Sequence, residues 1–347
     1  MLSKLIPQTK LGNSGLKISR IICGTMTFGL KLWAPFCVED EELVFSILKK
    51  CYDSGIRTFD TADMYSNGQS EILLGKFLRH YLIPRDKVVI MSKLFFPVPE
   101  TPSAEGFDST NWDQLEWSNS RGLSRKHILQ AAEKSVERLG TYMDLYQIHK
   151  YDPEVPAEEI MRGLNDVVER GWTRYIGALT MKAVQFAHLQ HTADKNGWHK
   201  FIAMQNYYNL LYREEEREML PLCEDILNVG VIPWSPNARG LLTRPLLSEA
   251  SQEQISQAGN LDFLVLDNPL GADSIEIINR VEKLAKEKGV SMAQISNAWV
   301  LHKGYSPIIG INSLARVDDT LKSLDVVFTE EEVKYLEEPY KPKRAQV

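Results

Sequence analysis

The stretch that decides the fold of this chain is IRTFDTADMY, residues 56–65. Residues 56–59 predict a short buried strand, since isoleucine, threonine and phenylalanine all favour β structure. Asp60 falls where that strand should end, and Tyr65 follows five residues later in a polar loop. A carboxylate and a phenol are therefore presented together at the tip of one strand.

The next two predicted strands also end in residues that can carry charge. Residues 88–92 form an apolar run that stops at Lys93, and residues 143–148 form another that stops at His149. A tyrosine, with an ordinary pKa of about 10, is a poor acid at neutral pH unless a nearby cation lowers that pKa. Lys93 is the cation that the next strand offers to Tyr65.

The rest of the chain alternates between predicted strands and helices. Two short segments, residues 5–11 and 16–19, flank the turn at residues 13–15 and predict a β-hairpin before the main fold. Eight strand-then-helix units follow, which is typical of a closed parallel (β/α)8 or TIM barrel, and we expect one such domain over residues 1–347. An acidic helix is expected around residues 214–216. The eight strands are predicted at residues 20–24, 56–59, 88–92, 143–148, 175–178, 201–204, 231–234 and 307–309.

Barrel geometry predicts where the polar strand ends meet. Residues at the C-terminal ends of barrel strands face the active site. Asp60, Lys93 and His149 would end strands two, three and four, so they should be neighbours around one rim. Two long connections, residues 95–123 and 235–273, leave the same rim, and loops of this length are usually lids or binding loops.

The composition excludes several classes of protein. The 347 residues carry a net charge of −6 with a pI near 5.8, which gives no electrostatic footprint for nucleic acid or an anionic membrane. The four cysteines lie far apart and predict isolated buried thiols, and His188 and His191 lack a third metal ligand. Residues 1–10 lack the apolar core of a signal peptide, and no apolar run is long enough to span a membrane. We therefore expect a cytoplasmic protein in a reducing compartment, with no metal, nucleic-acid or membrane partner.

Three motifs carry a resemblance to a known family. Residues 59–65 (FDTADMY), followed by residues 92–93 (SK) and 147–149 (QIH), resemble the catalytic tetrad pattern of the aldo-keto reductases. The resemblance runs from residues 11–16 (LGNSGL) to 339–342 (PYKP) and is strongest toward the aryl-alcohol dehydrogenase-like members of fungi and bacteria. It implies a barrel closed at the bottom by the hairpin, and an NADP-dependent oxidoreductase that interconverts small aldehydes or ketones and alcohols.

The chemistry of the four candidate catalytic residues supports that implication. A lysine ammonium beside a phenol favours the phenolate, so Lys93 should lower the pKa of Tyr65, while Asp60 keeps Lys93 charged and oriented. Tyr65 could then give a proton to a carbonyl oxygen as hydride reaches the carbon. By resemblance, His149 hydrogen-bonds the same oxygen and orients the carbonyl.

No residue of this site can donate hydride, so a cofactor is required. The glycine-rich GxGxxG pattern of doubly wound dinucleotide folds is absent, and the resemblance implies NADP(H) lying across the barrel mouth. By the same resemblance Gln205 binds the carboxamide, the backbone at Thr25 approaches the ribose, and Trp234 stacks on the nicotinamide, with core packing as its alternative role. The remaining cofactor contacts are expected at Asp60, Thr180, Ser235, Pro236, Asn237, Gly310, Asn312, Arg316, Asp319 and Thr320.

The preference for NADP over NAD depends on Arg316. Its planar guanidinium is suited to clamp a 2′-phosphate. Residues 319–320 depart from the family, where many members carry Glu-Asn. Leu179 and Thr180 replace a pair that usually begins with serine, and since Leu179 cannot hydrogen-bond the carboxamide, Thr180 and Gln205 would have to hold it.

The candidate substrate wall is apolar and largely aromatic. Such side chains near a barrel rim are consistent with a pocket for aryl or aliphatic aldehydes, although loop residues of this kind can equally pack beneath their own loops. The candidates are Met26, Phe28, Trp33, Phe95 and Phe96, with Trp112 or Trp117.

Two rival functions come from other classes of protein. Channel-associated β-subunits resemble this fold and hold NADP as binding partners, but they carry asparagine where this chain has His149. A metal-dependent barrel hydrolase could use Asp60 and His149, but the chain lacks the His-x-His strand end that would support it. The sequence leaves the oligomeric state open.

Overall fold

The computed structural model describes residues 5–101, 115–246 and 270–345. Eight parallel strands, β3 to β10, close into a barrel in chain order, with β10 pairing back onto β3. This confirms the predicted (β/α)8 barrel. The strands run over Ile22–Gly24 (β3), Thr58–Asp60 (β4), Val89–Leu94 (β5), Met143–Ile148 (β6), Thr173–Leu179 (β7), Phe201–Tyr207 (β8), Gly230–Trp234 (β9) and Ile308–Gly310 (β10).

The predicted hairpin closes the bottom of the barrel. Its strands, Gln8–Lys10 (β1) and Lys17–Ser19 (β2), pair antiparallel. Leu11 and Ile18 from the hairpin pack into one apolar cluster with inward-facing residues of the barrel strands such as Met91. The hairpin therefore seals the end of the barrel opposite the rim where β4, β5 and β6 terminate.

Helices surround the barrel and bury a larger apolar layer against the outer faces of the strands. The predicted caps of α3 are present: the Ser124 side chain accepts a hydrogen bond from the His127 N–H, and Gly140 ends the helix in the left-handed conformation. No helix in the described ranges is long and apolar enough to cross a membrane. The helices are Glu41–Asp53 (α1), Gln69–His80 (α2), Arg125–Leu139 (α3), Ala157–Glu169 (α4), Ala183–Asn196 (α5), Ala272–Lys288 (α6), Met292–His302 (α7), Leu314–Lys322 (α8) and Glu330–Glu337 (α9).

The expected acidic helix is wrong in form. Glu214–Glu216 is a single 3-10 turn, followed by a short α turn at Met219–Pro221 and a π turn at Leu222–Leu227. The consecutive carboxylates point to different partners, since Glu214 accepts from Tyr340 and Glu215 from Asn206. Tertiary hydrogen bonds therefore replace the regular helix that local sequence favours.

The two long rim connections lie only partly within the described residues. Residues 102–114 of the first and 247–269 of the second fall outside them. Trp112, one of the candidate wall residues, is among those outside. Trp117 lies in the short 3-10 helix Leu115–Trp117 and is half-buried.

The close contact between α2 and α3 generates a prediction about stability. A Cβ atom on Gly75 would lie 2.3 Å from the backbone oxygen of Leu139, so Gly75→Ala forces the two helices apart. We expect the free energy of unfolding to fall by about 1–3 kcal/mol, measured by urea denaturation.

Gly163→Ala is the matched control. Gly163 is also inside a helix, α4, but a Cβ there meets the flexible end of Ile128 at 3.0 Å and no backbone atom closer than 3.5 Å. Alanine also improves helix propensity, so the change should be small. Equal destabilisation by the two substitutions would show that the α2–α3 contact is not the cause.

Candidate active site

A buried lysine lies at the centre of the rim site. Lys93 is 0% exposed, and its Nζ donates to Asp60 Oδ1 at 2.5 Å, to the Thr61 carbonyl oxygen at 2.7 Å and to the Tyr65 hydroxyl at 3.1 Å. The structure thus brings three of the four predicted catalytic residues into direct contact. All three donor positions of the ammonium are used.

Backbone hydrogen bonds fix the loop that carries Tyr65. The N–H groups of Thr61 and Asp63 donate to the carbonyl oxygens of Met91 and Lys93, at 2.8 and 3.1 Å. The loop after β4 is therefore attached along β5, whose inward-facing residue is Lys93. Tyr65 closes a turn, since its N–H donates to the Ala62 carbonyl oxygen at 3.2 Å.

The chain reverses direction immediately after Tyr65. Ser66 and Asn67 adopt positive φ angles of 49° and 56°, and Gly68 follows at 86°. Such left-handed backbone is uncommon for residues other than glycine and collects at functional sites. This turn leads directly into α2 and keeps the phenol over the lysine.

The electrostatics of Tyr65 differ from the sequence prediction. Burial raises the pKa of Tyr65 above its ordinary value, and the opposing effect of the Lys93 ammonium is smaller. The expected net lowering of the pKa is therefore wrong for the free protein, because the sequence does not reveal how strongly the surrounding protein desolvates the half-buried Tyr65. Tyr65 consequently holds its proton at neutral pH and is ready to donate it.

The lysine and its carboxylate remain an ion pair. Burial alone would lower the pKa of Lys93, but the charges of Asp60 and Tyr65 more than offset this and raise it. Burial raises the pKa of Asp60, while the Lys93 ammonium and the Gln205 amide act in the opposite direction. Lys93 therefore stays charged across the neutral range.

His149 completes the predicted tetrad as a neutral imidazole. Its ring lies edge-on to Tyr65, with ring centroids 6.0 Å apart, and edge-on to Phe96 at 5.1 Å. Burial and the nearby Lys93 charge hold the pKa of His149 well below its ordinary value. Its Nδ1 is buried and has no hydrogen-bond partner in the described chain. A neutral ring can donate one N–H without competing with Tyr65 as the acid.

Two glutamines extend the site into the barrel interior. Gln205 Nε2 donates to Asp60 Oδ2 at 3.0 Å and to Gln147 Oε1 at 3.3 Å. The donor side of Gln205 thus supports Asp60, which leaves its carbonyl oxygen as the group to offer a ligand. Gln147 was not among the predicted site residues. Its position two residues before His149 on the same strand could have indicated it, because alternate strand residues share a face.

The end of β9 presents an aromatic side chain and a tight polar turn at the mouth of the barrel. Trp234 is half-buried, packs against Tyr207 with centroids 4.7 Å apart, and donates from Nε1 to Thr180 Oγ1 at 3.4 Å. Ser235 has a positive φ of 55°, and the buried Oδ1 of Asn237 accepts no hydrogen bond from the described residues. A tight turn with an unpaired amide oxygen is suited to a polar ligand at the barrel mouth. Pro236 lies within that turn.

The predicted contacts after β10 divide into two groups. Gly310 and Arg316 are exposed and Asn312 is half-buried, so these three can reach a ligand. Asp319 instead accepts hydrogen bonds from Ser291 Oγ at 3.1 Å and Gln294 Nε2 at 2.6 Å, and Thr320 is 4% exposed. The geometry does not support these last two as cofactor contacts, because helix packing against α7 engages them.

Thr25 has a structural role in addition to its predicted position. Its N–H and Oγ1 both donate to the Asp60 carbonyl oxygen, at 2.9 and 3.0 Å, and its hydroxyl also contacts Ser70. The side chain is therefore committed to holding the end of β4. The chain becomes more accessible only at the next residue, Met26, which is half-buried.

The structure packs several of the candidate wall residues together beside Tyr65. Trp33 lies edge-on to Tyr65 with centroids 6.1 Å apart, and it shares an apolar cluster with Met26 and Phe96. The ring centroids of Phe95 and Phe96 are 5.3 Å apart, but Phe95 packs against the main apolar core. Phe28 is 1% exposed within that core, so its predicted place in the wall is wrong.

Taken together, the barrel and its rim site hold a tyrosine hydroxyl against a buried lysine ammonium, an arrangement suited to proton transfer. Comparison with known proteins places the chain more closely. The model of the Aldo/keto reductase family matches residues 20–341. Among the described residues, no cluster of three side chains could hold a metal ion.

Several similar proteins cover almost the whole chain. A candidate aryl-alcohol dehydrogenase of Saccharomyces cerevisiae, AAD16, is 57% identical over 341 residues, 98% of each protein. One of Schizosaccharomyces pombe, C977.14c, is 55% identical over 338 residues, 96% of this chain and 95% of its own length. The versiconal hemiacetal acetate reductase of Aspergillus parasiticus is 50% identical over 336 residues, 96% of this chain and 97% of that protein. The chain belongs to the aldo/keto reductase family of oxidoreductases, which act on small molecules with a nicotinamide cofactor.

The neutral state of His149 generates a prediction about acid stability. The pKa of His149 in the folded state lies below the unfolded value of about 6.5. Below that pH the unfolded chain binds a proton and the folded protein does not, so stability falls as the pH drops. We expect His149→Gln to remove this contribution, at most about 1.4 kcal/mol per pH unit. The measurement is the melting temperature between pH 7 and pH 5.

The exposed His188 provides the control, because His188→Gln should leave the acid dependence of the wild type unchanged. A melting temperature that falls equally in the wild type and in His149→Gln would contradict a neutral imidazole at this position.

Proposed function

We propose that this chain is an NADP-dependent reductase of aldehydes or ketones, with aryl aldehydes preferred, that also works in the alcohol-oxidising direction. The observation that carries the proposal is the Lys93 ammonium, paired to Asp60 and 3.1 Å from the Tyr65 hydroxyl. This arrangement supplies a proton and stabilises the charge that its departure leaves behind.

Tyr65 is the proposed general acid. Its hydroxyl is protonated at neutral pH, because burial raises its pKa, and it donates that proton to the carbonyl oxygen of the substrate. The phenolate that results lies against the Lys93 ammonium, which stabilises it in a water-poor site. In the reverse direction the same phenolate accepts the proton of an alcohol.

Asp60 and His149 prepare the site for that transfer. Asp60 holds Lys93 in its charged form, so the ammonium is in place before the proton moves. The neutral His149 donates an N–H to the same carbonyl oxygen and fixes its direction. When bound, the nicotinamide supplies or accepts the hydride.

The proposed cofactor contacts follow the rim of the barrel. The Gln205 carbonyl oxygen and the Thr180 hydroxyl would hold the carboxamide, and half-buried Trp234 would lie against the nicotinamide. The turn after β9 and the start of α8 would hold the phosphates, with Arg316 at the 2′-phosphate. Arg316 is exposed and forms no ion pair with the described residues, so its charge is available to a ligand.

The apolar rim supports the preference for aryl aldehydes. Trp33 lies edge-on to Tyr65 and Phe96 lies edge-on to His149, and Met26 belongs to the same apolar cluster. A flat ring can lie between such side chains while its carbonyl reaches Tyr65. The names of two similar proteins, aryl-alcohol dehydrogenases, agree with this preference.

Tyr65→Phe tests the general acid directly. Without the hydroxyl, kcat for reduction of a benzaldehyde should fall by at least about 100-fold, while the Kd for NADPH stays within a factor of two or three of the wild type. The measurements are NADPH consumption by absorbance and quenching of protein fluorescence. Tyr52→Phe, on the outer helix α1, is the matched control, and substantial turnover by Tyr65→Phe would remove Tyr65 from its role.

Arg316→Ala tests the proposed 2′-phosphate contact. Loss of a charge-assisted hydrogen bond should cost about 1.5–3 kcal/mol, or roughly 10–100-fold in the Kd for NADPH. The Kd for NADH should hardly change, because NADH lacks that phosphate. Lys322→Ala, at the other end of α8, serves as the control. An equal loss of affinity for both cofactors would contradict the assignment.

A further inference from the structure

A second buried polar cluster lies directly behind the catalytic loop. It joins Asp63 of that loop to Glu71 of α2, Arg138 of α3 and Tyr146 of β6, and we call these four residues the carboxyl cluster. Asp63 is 1% exposed, and Glu71 and Tyr146 are 0% exposed. The proposed mechanism uses none of them.

Glu71 is fully engaged as a carboxylate. Its Oε2 accepts from Arg138 Nε at 2.6 Å, and its Oε1 accepts from Ser92 Oγ at 2.5 Å. The arginine reaches it by passing over Gly68, where a Cβ atom would lie 2.6 Å from Arg138 Cδ. The single guanidinium of the carboxyl cluster is thus committed to Glu71.

Asp63 has no comparable partner. Both of its carboxyl oxygens are buried, and neither forms a well-aligned hydrogen bond within the described part of the chain. The neighbouring Met64 N–H lowers the pKa of Asp63, but burial and the Glu71 charge outweigh it. The other nearby cation, Lys93, is paired with Asp60. Three carboxyl groups therefore share two cations, and an isolated buried carboxylate is too costly to persist when it can take up a proton instead.

We propose that Asp63 carries a proton in the working enzyme, so that no negative charge of this residue lies behind the Tyr65 loop. The groups that face it are the Glu71 carboxylate, the Arg138 guanidinium, the Tyr146 hydroxyl and the Lys93 ammonium. Burial and the neighbouring Glu71 charge raise the pKa of Asp63 well above its ordinary range, in agreement with this count of charges.

The protonation state of Asp63 affects the pKa of Tyr65. Its importance for catalysis rests on the proposed function. Asp63 precedes Tyr65 by two residues, and its N–H donates to the Lys93 carbonyl oxygen at 3.1 Å. A negative charge on Asp63 would raise the pKa of Tyr65 further and oppose the stabilising charge of Lys93. A neutral Asp63 leaves the effect of the Lys93 charge on Tyr65 unopposed.

The first test is the stability of Asp63→Asn, which is neutral at this position at every pH. The folded wild type holds a proton that its unfolded chain releases above about pH 4, so wild-type stability falls as the pH rises toward the folded-state pKa. The Asp63→Asn variant lacks this dependence. We expect its melting temperature to exceed that of the wild type by a difference that grows to several degrees between pH 5 and pH 8.

Asp144→Asn is the matched control. Asp144 is also buried but accepts from Arg85 at 2.5 Å and from the Ile90 N–H at 2.7 Å. Removing its charge leaves a guanidinium without its carboxylate, so this substitution should lower the melting temperature at neutral pH. A difference for Asp63→Asn that is flat, that shrinks with pH, or that accompanies failure to fold would overturn the proposal.

Glu71→Gln provides a second and independent arm. This substitution frees the Arg138 guanidinium, which should then pair with an ionised Asp63. In the Glu71→Gln background, Asp63→Asn should therefore lower the melting temperature at pH 7 instead of raising it. The same sign in both backgrounds would show that Asp63 and Glu71 do not share one cation, which contradicts the proposal.

Activity gives the readout that links the carboxyl cluster to Tyr65. Asp63→Asn should keep kcat within about threefold of the wild type at pH 7 and lose less activity than the wild type on the alkaline side. Loss of activity in Asp63→Asn at pH 7 would show that the enzyme needs a carboxylate here, which contradicts the proposal. If the wild type itself reduces no carbonyl compound, the proposed function fails while the melting temperatures still decide the protonation of Asp63.

Discussion

The ion pair between Lys93 and Asp60 is the interaction on which the rest of the site depends. Both side chains are almost fully buried, and such a pair repays the loss of hydration only when its remaining hydrogen bonds are made. Here the Thr61 carbonyl oxygen and the Tyr65 hydroxyl accept the remaining hydrogen bonds of the Lys93 ammonium, and Gln205 donates one to the Asp60 carboxylate. The pair contributes little to folding by itself. Its effect is to hold a cation beneath a phenol.

A buried charge of this kind constrains every titratable group around it. His149 is kept neutral partly by the Lys93 charge, and Tyr65 balances burial against the same charge. Because Lys93 is already paired with Asp60, it cannot neutralise a further carboxylate. The neighbouring Glu71 forms an ion pair with Arg138. Since neither cation remains for Asp63, we infer that Asp63 is neutral. Placement of one cation thus sets the protonation state of its surroundings.

Barrel geometry and strand alternation explain why the sequence locates these groups. Residues at the C-terminal ends of parallel strands meet at one rim, and every second residue of a strand faces the barrel interior. Asp60 and Lys93 were therefore expected together. Other expectations depended on packing that the sequence does not reveal: Phe28 lies in the core, and Asp319 hydrogen-bonds α7. Both positions look accessible in sequence because their partners are distant along the chain.

The sequence by itself determined the order of eight strands and helices, the hairpin that precedes them and the residue types at the strand ends. Those features follow from local periodicity and from motifs only a few residues long. The tertiary structure alone decided that the pKa of Tyr65 is raised and not lowered, that Gln147 supports Gln205, and that Asp63 lacks a cation. The physical reason is that desolvation and charge balance depend on the distances between groups far apart in the chain, which no local pattern encodes.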